Sequence, residues 1–261
     1  MDGLAGEIRL GDFRLTFDYD SVAGDYQYRA LHSGHPMQRF WHGGKLTMID
    51  QLIRPHLKAD SRLLEIGCGA GNLLLQATVR GSYPVALDLA KQALTFVRSR
   101  LREAKSGSEA PRDFMCIQSI GELLPLEGES FDCILLSEVI EHLEVPQISI
   151  KEAARVLRPG GRLLITTPNY RSLWPLMERA VDLLNMAPKM AGEQHISRFY
   201  PASLKDLLTE SGLRIEYFGT IYFLSPFLSL FFPKWAGRQL ERELNNRSAW
   251  GMILVAVAVK P

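Results

Sequence analysis

The stretch Leu63-Leu64-Glu65-Ile66-Gly67-Cys68-Gly69-Ala70-Gly71-Asn72 decides how this chain is read. An apolar run ends in a carboxylate and a glycine-rich turn, and a helix-competent run follows from Leu73 to Val79. The order predicts a strand, a tight loop and a helix, because glycine serves where backbone turns sharply or comes close to a ligand. The next apolar run, Pro84-Val85-Ala86-Leu87, closes on Asp88. A carboxylate at the end of a second strand suits a ribose diol, since it accepts two hydroxyl hydrogen bonds. Asp88 also suits a cap on a helix beginning near Ala90, and capping does not exclude ribose binding. A nucleoside-containing cofactor is expected.

Two details narrow the cofactor. A dinucleotide fingerprint G-x-G-x-x-G would place its third glycine at position 72; here that position is Asn72 and the glycine comes one place early, at Gly71. A pyrophosphate at a helix N-terminus wants N–H donors and positive potential, and Glu65, two residues before the first glycine, would repel it. The same carboxylate suits a cofactor carrying an ammonium and a sulfonium. S-adenosylmethionine carries both.

From Arg62 onward strands alternate with helices. Strands are expected at Arg62–Ile66, Pro84–Asp88, Phe114–Gln118, Phe131–Leu136, Arg162–Thr167, Leu213–Phe218 and Met252–Val259, with helical runs such as Lys91–Glu103, Lys151–Val156 and Pro201–Ser211. Such alternation implies an α/β fold, a parallel sheet covered on both faces. Pro159-Gly160-Gly161 reads as a helix stop and turn before the fifth strand. Residues 1–60 are expected to form an N-terminal helical lid on a domain spanning 61–261, which carries insertions at about 171–200 and 219–248. Ligands of open α/β sheets bind outside the carboxyl ends of the strands. The N-terminal piece, with its aromatic and polar run Gln38-Arg39-Phe40-Trp41-His42, and the 171–200 piece join the domain near that edge, so acceptor specificity is expected there.

Composition sets outer bounds. With 46% hydrophobic residues the chain can bury a full core, and a net charge of +1 without a long basic run gives no reason to expect a nucleic-acid partner. Cys68, Cys116 and Cys133 are odd in number and lack metal-ligand spacing, which fits free thiols in a reducing compartment. Asp2, Glu7 and Arg9 stand where a signal peptide needs an apolar core. A cytoplasmic location is expected.

The whole pattern resembles the class I S-adenosylmethionine-dependent methyltransferases. The resemblance rests on Leu63–Gly71, Asp88, the run Phe131-Asp132-Cys133-Ile134-Leu135-Leu136-Ser137-Glu138, and Arg155-Val156-Leu157-Arg158-Pro159-Gly160-Gly161-Arg162-Leu163, in that order. It implies a Rossmann-like, doubly wound seven-stranded sheet whose last strand is antiparallel, with helical lid insertions. Within the class the chain is most similar to the ubiquinone-biosynthesis O-methyltransferases. The shared marks are Glu138-Val139-Ile140-Glu141-His142-Leu143, Thr167-Pro168-Asn169-Tyr170, Gly192-Glu193-Gln194-His195 and Phe199. Lys45 sits where that family has a basic residue that meets the cofactor carboxylate. The 219–248 insertion departs from the family.

By that resemblance Gly67, Cys68, Gly69 and Gly71 wrap the methionine end of the cofactor, with Glu65 beneath them. Asp88 takes the ribose, Leu89 packs on the adenine, and Ser137 lies near the transferable methyl. Many class members hold the adenine amino group with an aspartate after the third strand. Here the loop reads Gln118-Ser119-Ile120-Gly121-Glu122, so the backbone around Ile120 and Gly121 is the expected substitute.

Glu138, Glu141 and His142 have helical i, i+3, i+4 spacing and would share one face. Such a set can hold a divalent cation, Mg²⁺ or Zn²⁺; an acidic first helical turn is the alternative. His142, His195 and Glu141 are the candidate catalytic groups for deprotonating a hydroxyl acceptor. Leu173–Ala187 reads as an amphipathic helix interrupted by Pro175, and Phe218–Phe232 as an uncharged aromatic run too short to span a membrane. Each is either a lid over the acceptor or a contact with lipid. The leading reading is O-methylation of a small hydrophobic or lipid-like acceptor. N- or C-methylation of another small molecule is the second. A non-catalytic, cofactor-binding regulator is the third, against which the intact Glu65, glycine loop and Asp88 argue.

Overall fold

The computed structural model describes residues 8–10, 13–15, 18–108, 110–183, 195–245 and 250–261. Seven strands form one sheet: β3 (Arg62–Ile66), β4 (Tyr83–Asp88), β5 (Met115–Gln118), β6 (Phe131–Ser137), β7 (Leu157–Pro168), β8 (Arg214–Ile221) and β9 (Ile253–Val259), in the order β5-β4-β3-β6-β7-β9-β8. The pairs β3–β4, β4–β5, β3–β6 and β6–β7 are parallel, and β9 runs antiparallel to both β7 and β8. The expected doubly wound sheet with its antiparallel last strand is the fold of this chain.

Burial on both faces explains the continuous apolar runs. Leu63, Ala86, Cys133, Leu135 and Val255 pack on one face, with Met48 and Ile49 of α2 (Pro36–Leu52), Leu74 of α3 (Asn72–Ala77) and Val97 of α4 (Lys91–Ala104). Leu64, Ile66, Leu87, Ile134 and Ile165 pack on the other, with Ile150 and Ala153 of α5 (Pro146–Val156) and Leu204 and Leu208 of α7 (Pro201–Glu210). The chain winds outward through β3, β4 and β5 and then returns to β6 beside β3. That reversal opens the crevice at the carboxyl ends of the strands.

Several elements differ from expectation. The N-terminal piece is not wholly helical: before α1 (Tyr26–His32), β1 (Ile8–Leu10) and β2 (Phe13–Leu15) pair as an antiparallel hairpin. Pro159-Gly160-Gly161 is not a turn ahead of the fifth strand, because α5 ends at Val156 and β7 begins at once. Phe131 pairs with Leu157 and Cys133 with Arg162, so residues 158–161 form a bulge within the strand. Pro175 does not interrupt α6 (Trp174–Leu183); it lies in the first turn, where a missing N–H costs nothing. Residues 184–187 of the expected amphipathic helix and Gly192-Glu193-Gln194 lie outside the described residues. After Ile221 the 219–248 insertion folds into α8 (Ser225–Leu228) and α9 (Pro233–Asn245). Among the described residues, no helix is long and apolar enough to cross a membrane.

Candidate active site

A cavity of about 400 Å³ lies at the carboxyl ends of the parallel strands, where the loops after β3, β4, β5 and β6 converge. At one end are the glycine loop and the acid of β4. Gly67 N and Cys68 N donate to Leu87 O at 2.8 and 3.0 Å, tying the loop to β4. Gly69 and Gly71 both have positive φ, 48° and 70°, and a Cβ on Gly71 would stand 2.2 Å from Val97 Cγ2. Only glycine combines that backbone with such close packing on α4.

Asp88 accepts from Gly69 N through Oδ2 at 2.8 Å and from Ala90 N through Oδ1 at 2.9 Å. It therefore closes the loop and meets the start of α4, and each oxygen keeps a second lone pair for a ligand. Burial raises its pKa, while those N–H donors oppose the rise. Glu65 lies beneath the loop, 4% exposed, and accepts from Leu74 N at 3.0 Å. Burial pushes its carboxyl up to about 8. Gly67, Gly69, Asp88, Leu89, Ile120 and Gly121 line the cavity; Glu65, Cys68, Gly71 and Ser137 do not. The Ser137 hydroxyl is instead hydrogen-bonded to Thr166 Oγ1 at 2.7 Å.

At the other end, Lys45 Nζ donates to Glu138 Oε2 at 2.6 Å. Burial alone would raise the Glu138 pKa, but the Lys45 ammonium and its hydrogen bond hold it below the usual range. The expected helical face over 138–142 does not form. Glu138 has φ 55°, and only Ile140–His142 winds, as a single 3-10 turn. Glu138 thus leaves the proposed cation set and His195 takes its place: ligand atoms of Glu141, His142 and His195 lie within 4.8 Å of one another.

Backbone pairing brings His195 there, since Ile196 N and Ser197 N both donate to Glu141 O at 2.9 Å. Glu141 is 1% exposed, and Thr167 Oγ1 donates to its Oε2 at 3.0 Å, while its Oε1 is buried without a partner among the described residues. Burial first, and then the charge of Glu138, push the Glu141 carboxyl up to about 8. A buried, unsatisfied carboxylate oxygen beside two imidazoles is a donor set that fits a divalent cation.

Several residues given no individual role by the sequence also line this cavity: Tyr19, Gln27 and Glu122, and, from the two pieces expected to carry acceptor specificity, Trp41, His42 and Trp174. Burial, and then Lys45, push the His42 imidazole down to about 4, so it is neutral near pH 7. Glu178 of α6 sits behind the lining, accepting from Tyr170 Oη at 2.9 Å and from His195 Nδ1 at 2.5 Å. The aromatic run at 38–42 was a signal for Trp41 and His42. Tyr19 and Glu178 had none.

The methyltransferase domain family matches residues 64–165. The ubiquinone biosynthesis O-methyltransferase of Xylella fastidiosa (strain 9a5c) is 31% identical over 216 residues, covering 77% of this chain and 85% of the relative. The enzyme of the same description from Chromobacterium violaceum is 26% identical over 195 residues, covering 74% and 77%. Among solved structures, an S-adenosylmethionine-dependent methyltransferase from Thermotoga maritima superposes with a TM-score of 0.63 at 19% identity, over 93% of this chain and 98% of the other. The [4+2]-cyclase SpnF does so with a TM-score of 0.58 at 20% identity, over 85% and 82%. Identities this low bear on the fold and not on the reaction.

Proposed function

This chain belongs to the class I S-adenosylmethionine-dependent methyltransferases, and from that premise we propose that it methylates an oxygen of a small hydrophobic acceptor, a lipid or quinone precursor with a phenolic hydroxyl. The observation that carries this reading is one cavity with two unlike ends: a glycine loop and Asp88 at one, and Glu141, His142 and His195 beside Trp174, which in turn faces Trp41, at the other. The named O-methyltransferase relatives support oxygen as the acceptor atom.

The bound cofactor supplies an electrophilic methyl on its sulfonium. Asp88 would hold the ribose hydroxyls, and the Gly67–Gly71 backbone the methionine end. Lys45 would meet the cofactor carboxylate, exchanging its bond to Glu138 for it. Tyr19, Trp41 and Trp174 enclose the acceptor and exclude water, which keeps the attacking oxygen aligned with the methyl. Glu178 holds the His195 ring through Nδ1, leaving the other ring nitrogen to take the hydroxyl proton. Glu141, His142 and His195 are also the residues that would hold a divalent cation, whose chemistry there is to lower the pKa of the acceptor hydroxyl.

The second part of the proposal concerns where the acceptor is met. Leu224, Phe227, Leu230, Phe231, Phe232 and Trp235 are exposed on the 219–248 insertion, and the exposed Lys234, Arg238 and Arg242 flank them. Aromatic residues beside cations suit a headgroup boundary, which supports peripheral contact with a membrane.

The test is mass spectrometry of products after incubating the protein with methyl-labelled cofactor and a cellular metabolite and lipid extract. Labelled methoxy products support the reading. Label on nitrogen or carbon replaces it with the corresponding methyltransferase, and S-adenosylmethionine binding without any labelled product favours a regulator. A rate that survives exhaustive chelation removes the cation and leaves the imidazoles as the base.

A further inference from the structure

Helix α2 carries a glycine pair, Gly43 and Gly44, in its interior, where alanine would make the more stable helix. The space over Gly44 is taken. A Cβ there would stand 2.6 Å from Tyr222 Oη, 2.8 Å from Leu240 Cδ2 and 3.0 Å from Tyr222 Cε1. The helix gives up a side chain at the point where the 219–248 insertion docks.

Tyr222 is fully buried and has φ 67°, a left-handed conformation that strains a bulky residue. Glu243 of α9 holds it there. That buried carboxylate accepts from Tyr222 N at 2.7 Å, Phe223 N at 3.2 Å, Leu224 N at 3.0 Å, Ser225 N at 3.1 Å and Ser225 Oγ at 2.9 Å. Thus held, Tyr222 stacks on Trp41 with ring centroids 4.2 Å apart, and its hydroxyl donates to Trp41 O. Trp41 faces Trp174 at 5.8 Å, and Trp174 faces His195 at 6.0 Å.

A mid-helix glycine, a strained tyrosine and a buried carboxylate each cost stability, and all three converge on one contact. An ordinary aliphatic pair would fill the same core without any of them. What this arrangement provides is a single, fixed placement of Trp41. We infer that Tyr222, admitted by Gly44 and held by Glu243, is a positioning residue that sets Trp41 as the wall of the acceptor end of the cavity. Among the described residues the insertion lines no part of the cavity itself, yet through this relay it governs what the acceptor site admits. The inference rests on the proposed reading of that end as the acceptor site.

The experiment labels the full chain with 5-fluorotryptophan and follows Trp41, Trp174, Trp235 and Trp250 by ¹⁹F NMR, with assignments from single Trp→Phe substitutions. Tyr222→Phe keeps the ring and loses the hydroxyl; Gly44→Ala improves helix propensity but collides with Tyr222. In both folded variants the Trp41 resonance is expected to shift and broaden, with Trp174 following and Trp235 and Trp250 unmoved. A Trp41 resonance at its parent position in both variants overturns the inference, as does a simple gain in melting temperature for Gly44→Ala with Trp41 unmoved.

A second arm titrates 4-alkylcatechols into the complex with S-adenosylhomocysteine. Tyr222→Phe is expected to weaken them at least about fivefold while S-adenosylhomocysteine affinity stays within about twofold. Unchanged catechol affinity beside a displaced Trp41 also overturns it. A parent protein that binds S-adenosylhomocysteine but no catechol counts against the acceptor reading, and the Trp41 measurement still decides the positioning role.

Discussion

His195 Nδ1 and Glu178 Oε1 are 2.5 Å apart, and both side chains are buried. The carboxylate fixes the ring's orientation and tautomer, so it decides which nitrogen His195 presents to Glu141 and His142. Glu178→Ala is expected to slow methyl transfer by about 10- to 100-fold, the usual effect of removing a carboxylate behind a working histidine. S-adenosylhomocysteine affinity should not change, because Glu178 lies away from the glycine loop. Single-turnover rates with the acceptor recovered from the product assay, set beside calorimetry, check this. A rate within about twofold of the parent would leave His195 a packing residue.

Asp88 is expected to dominate cofactor affinity. Its carboxylate serves Gly69 N and Ala90 N in the structure and would accept ribose hydroxyls as well. Each hydrogen bond to a charged group is worth about 1.5–3 kcal/mol, so Asp88→Ala should weaken S-adenosylhomocysteine by at least about tenfold. Asp88→Asn keeps one acceptor oxygen and should fall between the two. Calorimetry on folded protein checks the order, and an unchanged affinity in Asp88→Ala would move the cofactor elsewhere.

Glu65 makes stability fall with pH. Its carboxyl titrates near 4.5 when exposed and at about 8 when folded, chiefly through burial. Between those values the folded chain holds a proton that the unfolded chain has lost. The contribution is therefore fully present below about pH 4.5 and is lost as pH rises through about 8. At 1.36 kcal/mol per pKa unit the upper bound is about 5 kcal/mol. Chemical denaturation of the ligand-free protein from pH 5 to 9 should show a decline that is shallower in Glu65→Gln. A cationic cofactor above the loop favours the ionised form, so S-adenosylmethionine affinity should rise over the same window in the parent and stay flat in the variant. Equal slopes in parent and variant would assign the decline to another group.

Much of the fold was legible because its signals are local. Leu63–Ile66 and Val85–Leu87 are short apolar runs between turn residues, and burial on both sheet faces demands such runs. The glycine loop was legible for the same reason: residues that sit together in space are adjacent in the chain. The acceptor end was less so. Helical spacing grouped Glu138 with Glu141 and His142, but the chain turns at Glu138, and α5 starts only at Pro146. Glu178 stands among the polar residues of an amphipathic helix and reads as solvated; Tyr170 and His195 bury it. The contact of Tyr222 with Trp41 joins residues 181 apart in sequence, a distance over which periodicity carries no information.

The aromatic surface of the insertion gives the last prediction. Phe231, Phe232 and Trp235 are 76%, 57% and 63% exposed, so replacing all three with Ser opens no cavity. Surface changes away from special contacts cost within about 0.5 kcal/mol each, and the melting temperature should barely move. If the surface meets lipid, the parent should co-sediment with anionic vesicles more than with neutral ones, because each basic residue near an anionic surface adds about 1 kcal/mol. The triple variant should lose that binding while keeping its affinity for S-adenosylhomocysteine. Lys234→Glu with Arg238→Glu should remove only the preference for anionic lipid, and raised salt should mimic it through screening. A parent protein that stays in the supernatant with both kinds of vesicle would sink the membrane proposal, and the acceptor would then have to reach the cavity through water.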